Sequence, residues 1–229
     1  MKDIFCFIPA KSNSNRLKNK NCHLLNGKPL FYYPISAAIK SGIFDKNGII
    51  VSSDSNEIIS KSEKYGAVAP YLRPKHLSRD PSGVYDVLIH FLNKFPLYKK
   101  YKYVCILLPT SPLTDYSDII LSFKNIKNSN FSCLMSISES QHNAHLSVVV
   151  NNEIIKPLFE DKILIKSSDL EKTYHLNGAI HIVKINELLK KQTYIIHPIL
   201  GYEMPFERSV DVDEKKDIQL AEFIISQKC

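Results

Sequence analysis

Short apolar runs alternate with amphipathic stretches along the first 138 residues, and this alternation restricts the folds open to the chain. The apolar runs have the length of strands, whereas the stretches between them place apolar residues on one face of a helix. Predicted strands cover residues 4–8, 48–52, 67–72, 103–108 and 131–137. Predicted helices cover residues 29–41, 57–65, 82–95 and 117–126. This order predicts an α/β fold of three layers, in which helices cover both faces of a mostly parallel sheet.

Four polar loops begin where predicted strands end, at Pro9, Ser53, Arg73 and Pro109. The carboxyl ends of parallel strands meet at one edge of a sheet, and ligands of such sheets bind there. We therefore expect the four loops to converge on one site.

The pattern changes after residue 139. Residues 146–150 and 153–157 read as two strands joined by an Asn-Asn turn, which favours a hairpin. We interpret residues 139–176 as a segment inserted into a single domain that covers residues 1–229. An apolar hairpin of this kind either packs on a partner subunit, which would make the protein a homodimer, or folds back on its own domain.

Composition disfavours several classes of function. The net charge is +7, but apart from the first loop and residues 99–102 the basic residues are scattered, and no nucleic-acid-binding pattern is present. The five cysteines include no Cys-x-x-Cys pair, so neither a disulfide framework nor a zinc site is expected. No signal peptide and no apolar run of about 18 residues is visible, which predicts a cytoplasmic protein without a membrane span.

A strongly basic loop, residues 11–28, follows the first predicted strand. It contains five Lys or Arg, five Asn, two Ser and one His, but no acid. A polyphosphate suits this composition, because its oxygens accept charge-assisted hydrogen bonds and its charge is favoured at a helix N-terminus. The alternative is a basic loop that simply faces solvent.

Asp211 and Asp213 lie in residues 209–213, which have the pattern of a strand. Residues i and i+2 of a strand project from the same face, so the two carboxylates would repel each other. A divalent cation removes this repulsion, and Mg²⁺ binds one or two carboxylates together with phosphate oxygens and water. The alternative is that Asp213 caps the helix predicted over residues 214–226.

Several motifs resemble those of the acylneuraminate cytidylyltransferases, which are the CMP-sialic acid synthetases and their relatives for pseudaminic and legionaminic acids. The motifs occur in family order over nearly the whole chain, except residues 139–170, and they are Ile-Pro-Ala-Lys at 8–11, Asn-Lys-Asn at 19–21, Gly-Lys-Pro-Leu at 27–30, Val-Ser-Ser-Asp at 51–54, Leu-Arg-Pro at 72–74, Leu-Pro-Thr-Ser-Pro-Leu at 108–113, Asn-Gly-Ala-Ile at 177–180 and Val-Asp-Val-Asp at 210–213. The resemblance implies a Rossmann-like nucleotidyltransferase that transfers CMP from CTP to a nine-carbon acidic 2-keto sugar and releases pyrophosphate.

The resemblance also implies roles for individual residues. The residues at CTP-binding positions are Ala10, Lys11, Ser14, Lys20, Asn21, Arg73 and Ser82. Asp211 and Asp213 occupy the positions of the carboxylates that hold Mg²⁺, and together with Lys20 they form the expected catalytic set. From the residues alone, Arg73 could instead form a structural ion pair and Ser82 a helix cap. The general base stays open between metal-assisted deprotonation and Asp211.

Leu108, His175 and Asn177 are expected on the acceptor-sugar side of the site. Leu108 stands where relatives often carry Gln, and His175 stands where many sialic acid enzymes carry Arg. These two differences favour an acidic sugar other than N-acetylneuraminate.

The first loop also departs from the family pattern. Ser12 and Asn13 replace glycines, which reduces the freedom of the backbone around a phosphate, and Lys11 lacks the bidentate fork of the usual Arg. These departures leave open a catalytically weakened relative that only binds nucleotide or sugar. The other alternative is an eight-carbon (Kdo-type) or other sugar nucleotidyltransferase, whose Ser-x-Arg-Leu-x-x-Lys pattern is also matched by Ser14, Arg16, Leu17 and Lys20.

Overall fold

A six-stranded sheet runs through the centre of the structure, a computed structural model that describes residues 2–14 and 16–227. The strands in chain order are β1 (Ile4–Pro9), β2 (Leu24–Leu25), β3 (Lys28–Pro29), β4 (Ile49–Ser52), β5 (Tyr103–Leu107), β6 (Cys133–Glu139), β7 (Val148–Asn151), β8 (Ile154–Pro157), β9 (Tyr174–Lys184) and β10 (Leu200–Glu203). The sheet order is β10-β6-β9-β5-β1-β4, in which only β9 runs antiparallel to its neighbours. The predicted mostly parallel sheet is confirmed. Of the five cysteines, Cys229 lies outside the described residues.

Helices cover both faces of this sheet, which confirms the three-layer prediction. They are α1 (Tyr32–Ser41), α2 (Asn56–Lys64), α3 (Val84–Lys94), α4 (Tyr116–Lys127), α5 (Ile185–Lys191) and α6 (Lys215–Ser226). Successive side chains of a strand point to opposite faces. In β1, Cys6 therefore packs in the core with α1, α2 and α4, whereas Phe5 and Phe7 pack with α3 and α5. Within the described ranges, no helix has both the length and the apolar surface that a bilayer span needs.

The last helix, α6, packs in a third and smaller core with the β2–β3 hairpin. Its Ile218 and Ala221 share this core with Leu25, and Val210 and Val212 belong to the same cluster. This packing joins the end of the chain to the region of the first loop.

Two strand predictions are wrong. Residues 67–72 form only two isolated bridges, from Val68 to Ile50 and from Leu72 to Ser53. Residues 209–213 form no strand either. They follow an irregular path in which the backbone N–H of Val212 donates to the carbonyl oxygen of Thr110, at 2.7 Å.

The hairpin of β7 and β8 forms as predicted and is largely exposed. Ile154 is 72% exposed, and Leu164 in the following loop is 95% exposed. Val150 and Ile155 are exposed as well. The apolar side chains of the inserted segment therefore lie away from the core of their own domain, which disfavours a hairpin folded back on that domain.

A buried histidine lies in the middle of β9. His181 is 7% exposed, its ring packs on Tyr194, and its Nε2 lies 3.2 Å from Cys133 Sγ. Burial lowers the pKa of His181 to about 4, because a charged imidazolium would lose its hydration there. The residue is therefore neutral at physiological pH and belongs to the core.

The burial of His181 predicts that the protein becomes less stable as the pH is lowered. The unfolded chain takes up a proton at His181 with a pKa of about 6.5, whereas the folded chain resists protonation until the pH approaches 4. Between pH 7 and 5, we expect the free energy of unfolding in urea to fall by about 2 kcal/mol more in the wild type than in His181→Asn. His142→Asn, at an exposed position, should keep the wild-type slope. Equal slopes in all three proteins would contradict this account.

Candidate active site

A cavity of about 300 Å³ opens at the carboxyl edge of the sheet, where β1 and β5 end. The first loop contributes a polar part of its lining through Lys11, Ser14 and Lys20. Leu77 and Val87 contribute an apolar part. The predicted convergence is confirmed for the loops at Pro9, Arg73 and Pro109, because all three line this cavity. The loop at Ser53 reaches the same region through Asp54, which binds Ser12 of the first loop.

The basic loop and the C-terminal acids meet at this cavity. Lys20 Nζ donates to Asp213 Oδ1 at 2.6 Å, and Arg16 forms a second ion pair with the same carboxylate. Lys20 is mostly buried, whereas Arg16 is exposed. The spatial part of the sequence prediction is therefore confirmed: the first loop and the acidic pair lie on the same side of one crevice.

Alternating burial aims the acidic segment (residues 209–213) at this crevice. Val210 and Val212 are buried in the third core, and Asp211 between them is exposed. Asp213 does not cap α6, because Asp217 accepts hydrogen bonds from the backbone N–H groups of Asp213 and Glu214 instead. Residues 209–213 thus form no strand, but the side chains of residues 210–213 still alternate between buried and outward-facing positions, as the side chains of a strand do.

The two acids of this segment titrate differently. The hydrogen bond from Lys20 holds the pKa of Asp213 below its usual range, and the charge of Arg16 adds to this effect. Desolvation raises the pKa of Asp211, and the negative charge of Asp213 raises it further, against a hydrogen bond from Thr110 and the charge of Lys20. Solvent still reaches Asp211, which moderates both effects. The repulsion between the carboxylates that the sequence predicts is present.

Hydrogen bonds from side chains brace the first loop. The backbone N–H and the Oγ of Ser12 both donate to the Asp54 carboxylate at 2.8 Å, and Asn21 Nδ2 donates to the carbonyl oxygen of Lys11 at 2.7 Å. Neither Ser12 nor Asn13 has a positive φ. The glycines of the family pattern are therefore not needed here for a left-handed backbone, and Ser12 adds a hydrogen bond that glycine could not make.

Two buried polar groups in the cavity lining have no hydrogen-bond partner within the described part of the chain. They are Ser14 Oγ and Arg73 Nη2. Arg73 Nε donates to Ser78 Oγ, and Nη2 lies 3.6 Å from Asp54 Oδ1, so the structural ion pair considered from sequence is formed. Buried polar groups are nearly always hydrogen-bonded, and a polar ligand or water in the cavity would give both atoms a partner.

Ser82 and Ala10 occupy less direct positions. Ser82 lines the cavity and donates through Oγ to the carbonyl oxygen of His76, whereas Gly83 is the N-cap residue of α3. A side-chain cap by Ser82 is therefore not formed. Ala10 is fully buried, and its backbone N–H donates to the carbonyl oxygen of Ser52.

The three residues expected on the sugar side separate in the structure. Leu108 lines the cavity. His175 lies on β9 outside the lining, exposed and within hydrogen-bond distance of Ser138 and Ser140. Asn177 is 3% exposed, and both polar atoms of its side chain have internal hydrogen-bond partners, which argues against the predicted contact between this side chain and a sugar.

Sequence reasoning assigned no role in this site to Thr110 and Asp54, and it cited Arg16 only in the alternative nucleotidyltransferase pattern. Arg16 lies within the basic loop, and Asp54 and Thr110 lie within quoted motifs, so a signal existed for each. Their partners could not be inferred, because the pairing of Arg16 with Asp213 depends on the packing of α6.

The fold is that of the nucleotidyltransferases. A solved structure of a CMP:2-keto-3-deoxy-manno-octonic acid synthetase in complex with CTP matches this chain with a TM-score of 0.74 and covers 99% of both chains. The sequence identity is 14%, so this likeness shows the fold alone. The predicted Rossmann-like α/β nucleotidyltransferase fold is confirmed.

Residues 5–202 match the model of the cytidylyltransferase family, and the chain belongs to that family. The N-acylneuraminate cytidylyltransferase of Escherichia coli O18:K1:H7 is 33% identical over 98% of this chain and 52% of its own length. The pseudaminic acid cytidylyltransferase of Campylobacter jejuni serotype O:2 is 30% identical over 98% of this chain and 96% of its own length. The chain thus spans about half the length of the E. coli relative and nearly all of the C. jejuni relative.

The ion pair between Lys20 and Asp213 predicts a change in titration. Lys20→Met should raise the pKa of Asp213 toward its usual value, because the largest cause of the low pKa is removed. Carbon-13 NMR of the aspartate carboxyls measures this shift. Lys18→Met, an exposed lysine of the same loop, should leave the pKa of Asp213 nearly unchanged. An equal effect of both substitutions would show that the contact is not formed in solution.

Proposed function

We propose that this chain is a CTP-dependent cytidylyltransferase that transfers CMP to a nine-carbon acidic 2-keto sugar and releases pyrophosphate. The observation that carries the proposal is the contact between Lys20 and Asp213 beside a cavity with unpartnered, buried polar groups. A triphosphate and a cation require this combination of positive loop and acidic pair in one crevice. The relatives named above, which are cytidylyltransferases for N-acylneuraminate and pseudaminic acid, support the same reaction.

The cavity suits a nucleotide. The apolar side chains of Leu77 and Val87 offer a surface for the base, and Arg73 Nη2, which lies 3.6 Å from Asp54 Oδ1, offers it a donor. Lys11 and Lys20 would hold the phosphates, and Ser14 Oγ would donate to a phosphate oxygen. As pyrophosphate leaves, these fixed positive charges stabilise the negative charge that develops on it.

The acidic segment fits Mg²⁺ in donor chemistry. Asp211 and Asp213 supply carboxylate oxygens, which Mg²⁺ prefers, and a bound cation would relieve their mutual repulsion. Among the described residues no cluster of three or more His, Cys, Asp or Glu forms a complete metal site, so phosphate oxygens and water would supply the other ligands. When bound, Mg²⁺ would neutralise charge on the α-phosphate and lower the proton affinity of the attacking hydroxyl. Asp213 would exchange its contacts with Lys20 and Arg16 for the ion, which frees both side chains for the triphosphate.

On the sugar side, the proposal retains Leu108 and His175. Leu108 gives the cavity an apolar wall where relatives often carry Gln, and His175, on β9 outside this lining, stands where many sialic acid enzymes carry Arg. Without that Gln and the bidentate fork of Arg, the site would hold a carboxylate less strongly. This difference supports a sugar acceptor other than N-acetylneuraminate.

We also propose that the enzyme acts in the cytoplasm as a homodimer. All four described cysteines, Cys6, Cys22, Cys105 and Cys133, are free thiols, as in proteins of a reducing compartment. The exposed apolar hairpin of β7 and β8 suits an isologous contact with a second copy of the chain.

A pyrophosphate-release assay with a panel of acceptors tests the reaction. The panel contains pseudaminic, legionaminic and N-acetylneuraminic acids and Kdo, each with CTP and Mg²⁺. We expect release that depends on one of the nine-carbon sugars, with N-acetylneuraminate a poor acceptor. Release with Kdo alone would favour the eight-carbon alternative, whose sequence pattern includes Arg16. No release with any acceptor would favour a binding protein without transferase activity.

Asp211→Asn should reduce turnover by about two orders of magnitude or more, because the neutral amide is a weaker ligand for a cation and stabilises less transition-state charge. The protein should remain folded, since Asp211 is exposed and outside the core. Asp161→Asn, at an exposed position far along the inserted segment, is the control and should keep full turnover. Near-normal turnover of Asp211→Asn at saturating Mg²⁺ would count against the assignment.

Ile154→Asp should convert the dimer to a monomer, because a charge in an apolar contact remains uncompensated. Light scattering coupled to size-exclusion chromatography measures the mass. Leu97→Asp, at another exposed apolar residue, should leave the dimer intact. A wild-type protein that is monomeric at micromolar concentration would refute the homodimer.

A further inference from the structure

Asn177 is buried beside the cavity and lies in a bulge of β9. Leu176 pairs with Ile137 of β6, and His181 pairs with Met135, so residues 177–180 lie opposite Ser136 alone. Gly178 adopts a positive φ of +70° within this bulge. The regular pairing of β9 with β6 is thus interrupted where the Asn-Gly-Ala-Ile motif occurs.

Every polar atom of the Asn177 side chain has an internal partner. Its Oδ1 accepts from Ser136 Oγ at 2.5 Å and from the backbone N–H of Ala179 at 3.1 Å. Its Nδ2 donates to Ser209 Oγ at 3.0 Å, and Ser209 Oγ donates to the carbonyl oxygen of Pro205 at 2.8 Å. A continuous chain of buried hydrogen bonds therefore joins the bulge of β9 to the first residue of the acidic segment.

Besides the ion pairs of Asp213 and the core packing of Val210 and Val212, the acidic segment has two further hydrogen-bonded anchors. On one side, Arg208 binds the fully buried carboxylate of Asp118 through Nε at 2.7 Å and Nη2 at 2.9 Å. On the other side, the backbone N–H of Val212 donates to the carbonyl oxygen of Thr110, which lines the cavity. Of these three anchors, only the bond from Asn177 to Ser209 connects the segment to β9.

We propose that Asn177 is a positioning residue, which fixes the acidic segment at the cavity through Ser209. The proposal rests on the proposed function for its catalytic consequence, but its structural content stands on these contacts. Loss of Asn177 leaves the buried hydroxyls of Ser136 and Ser209 without this partner, so the segment has an energetic reason to shift. The bulge also approaches Leu108, whose Cδ1 would lie 3.7 Å from a Cβ at Gly178, so the same element adjoins the proposed sugar side.

Amide hydrogen exchange of the wild-type chain and its variants tests this role without any activity assay. The Val212 amide is the reporter, because its hydrogen bond to Thr110 holds the segment in place. In Asn177→Ala we expect this amide to exchange about tenfold faster, while the amides of β1 keep their protection. Ser41→Ala removes a buried hydroxyl in α1, remote in sequence from this network, and should leave the Val212 amide unchanged.

Ser209→Ala is the milder variant: it removes the link between the bulge and the segment together with the hydrogen bond from Ser209 Oγ to Pro205, and it leaves Asn177 bonded to Ser136. It should reproduce most of the effect of Asn177→Ala on the Val212 amide, and the double variant should add little to the larger single effect. In the transferase assay, both variants should lower kcat more than they raise the KM for CTP. If Asn177→Ala does not fold, Ser209→Ala alone decides the question.

Unchanged exchange of the Val212 amide in folded Asn177→Ala or Ser209→Ala would overturn the proposal, as would faster exchange spread evenly over the chain. A wild-type protein without transferase activity would refute the proposed function, but it would leave the exchange result unaffected.

Discussion

The ion pair between Lys20 and Asp213 joins residues that lie 193 positions apart, and the proposed site depends on it. Lys20 is mostly buried, so its charge needs a partner, and Asp213 provides one. Without this contact the buried charge of Lys20 would lack its partner, and Asp213 would keep only the exposed Arg16. In the structure the contact brings opposite charges together in one crevice. There a triphosphate could take the place of Asp213 as the partner of Lys20, and a cation could take the place of Lys20 as the partner of Asp213.

The sheet makes this contact geometrically feasible. Because β1 and β5 are parallel neighbours, the loops that follow them leave the sheet at the same edge. The third core then brings the acidic segment to that edge, since Val210 and Val212 pack with Leu25 and α6 while Asp211 faces outward. Apolar packing around the site thus fixes the position of the acidic segment. The alternation of aspartates with buried valines along that segment turns the carboxylates outward.

The alternation of apolar runs was sufficient to predict the layers of the fold, because a strand that is buried on both faces must be apolar along nearly its whole length. It failed for residues 209–213, where the buried valines mimic a strand but pack against a helix and a hairpin instead of a sheet. β10 and α5 were missed, because elements of four and seven residues give too short a period to recognise. Within the site, residue types predicted which loops converge. They could not predict that Asn177 is buried and internally bonded, since the bulge that encloses it depends on the register between β6 and β9.

Membership of the cytidylyltransferase family and the contact between Lys20 and Asp213 both support the proposed reaction. The most direct measurement is a crystal structure of the protein with Mg²⁺ and a non-hydrolysable CTP analogue. The account predicts a base in the cavity beside Arg73, a triphosphate within hydrogen-bond distance of Lys20 Nζ, and an ion between the phosphates and Asp211. A nucleotide bound outside this cavity, or a triphosphate that contacts neither Lys20 nor the acidic segment, would contradict it.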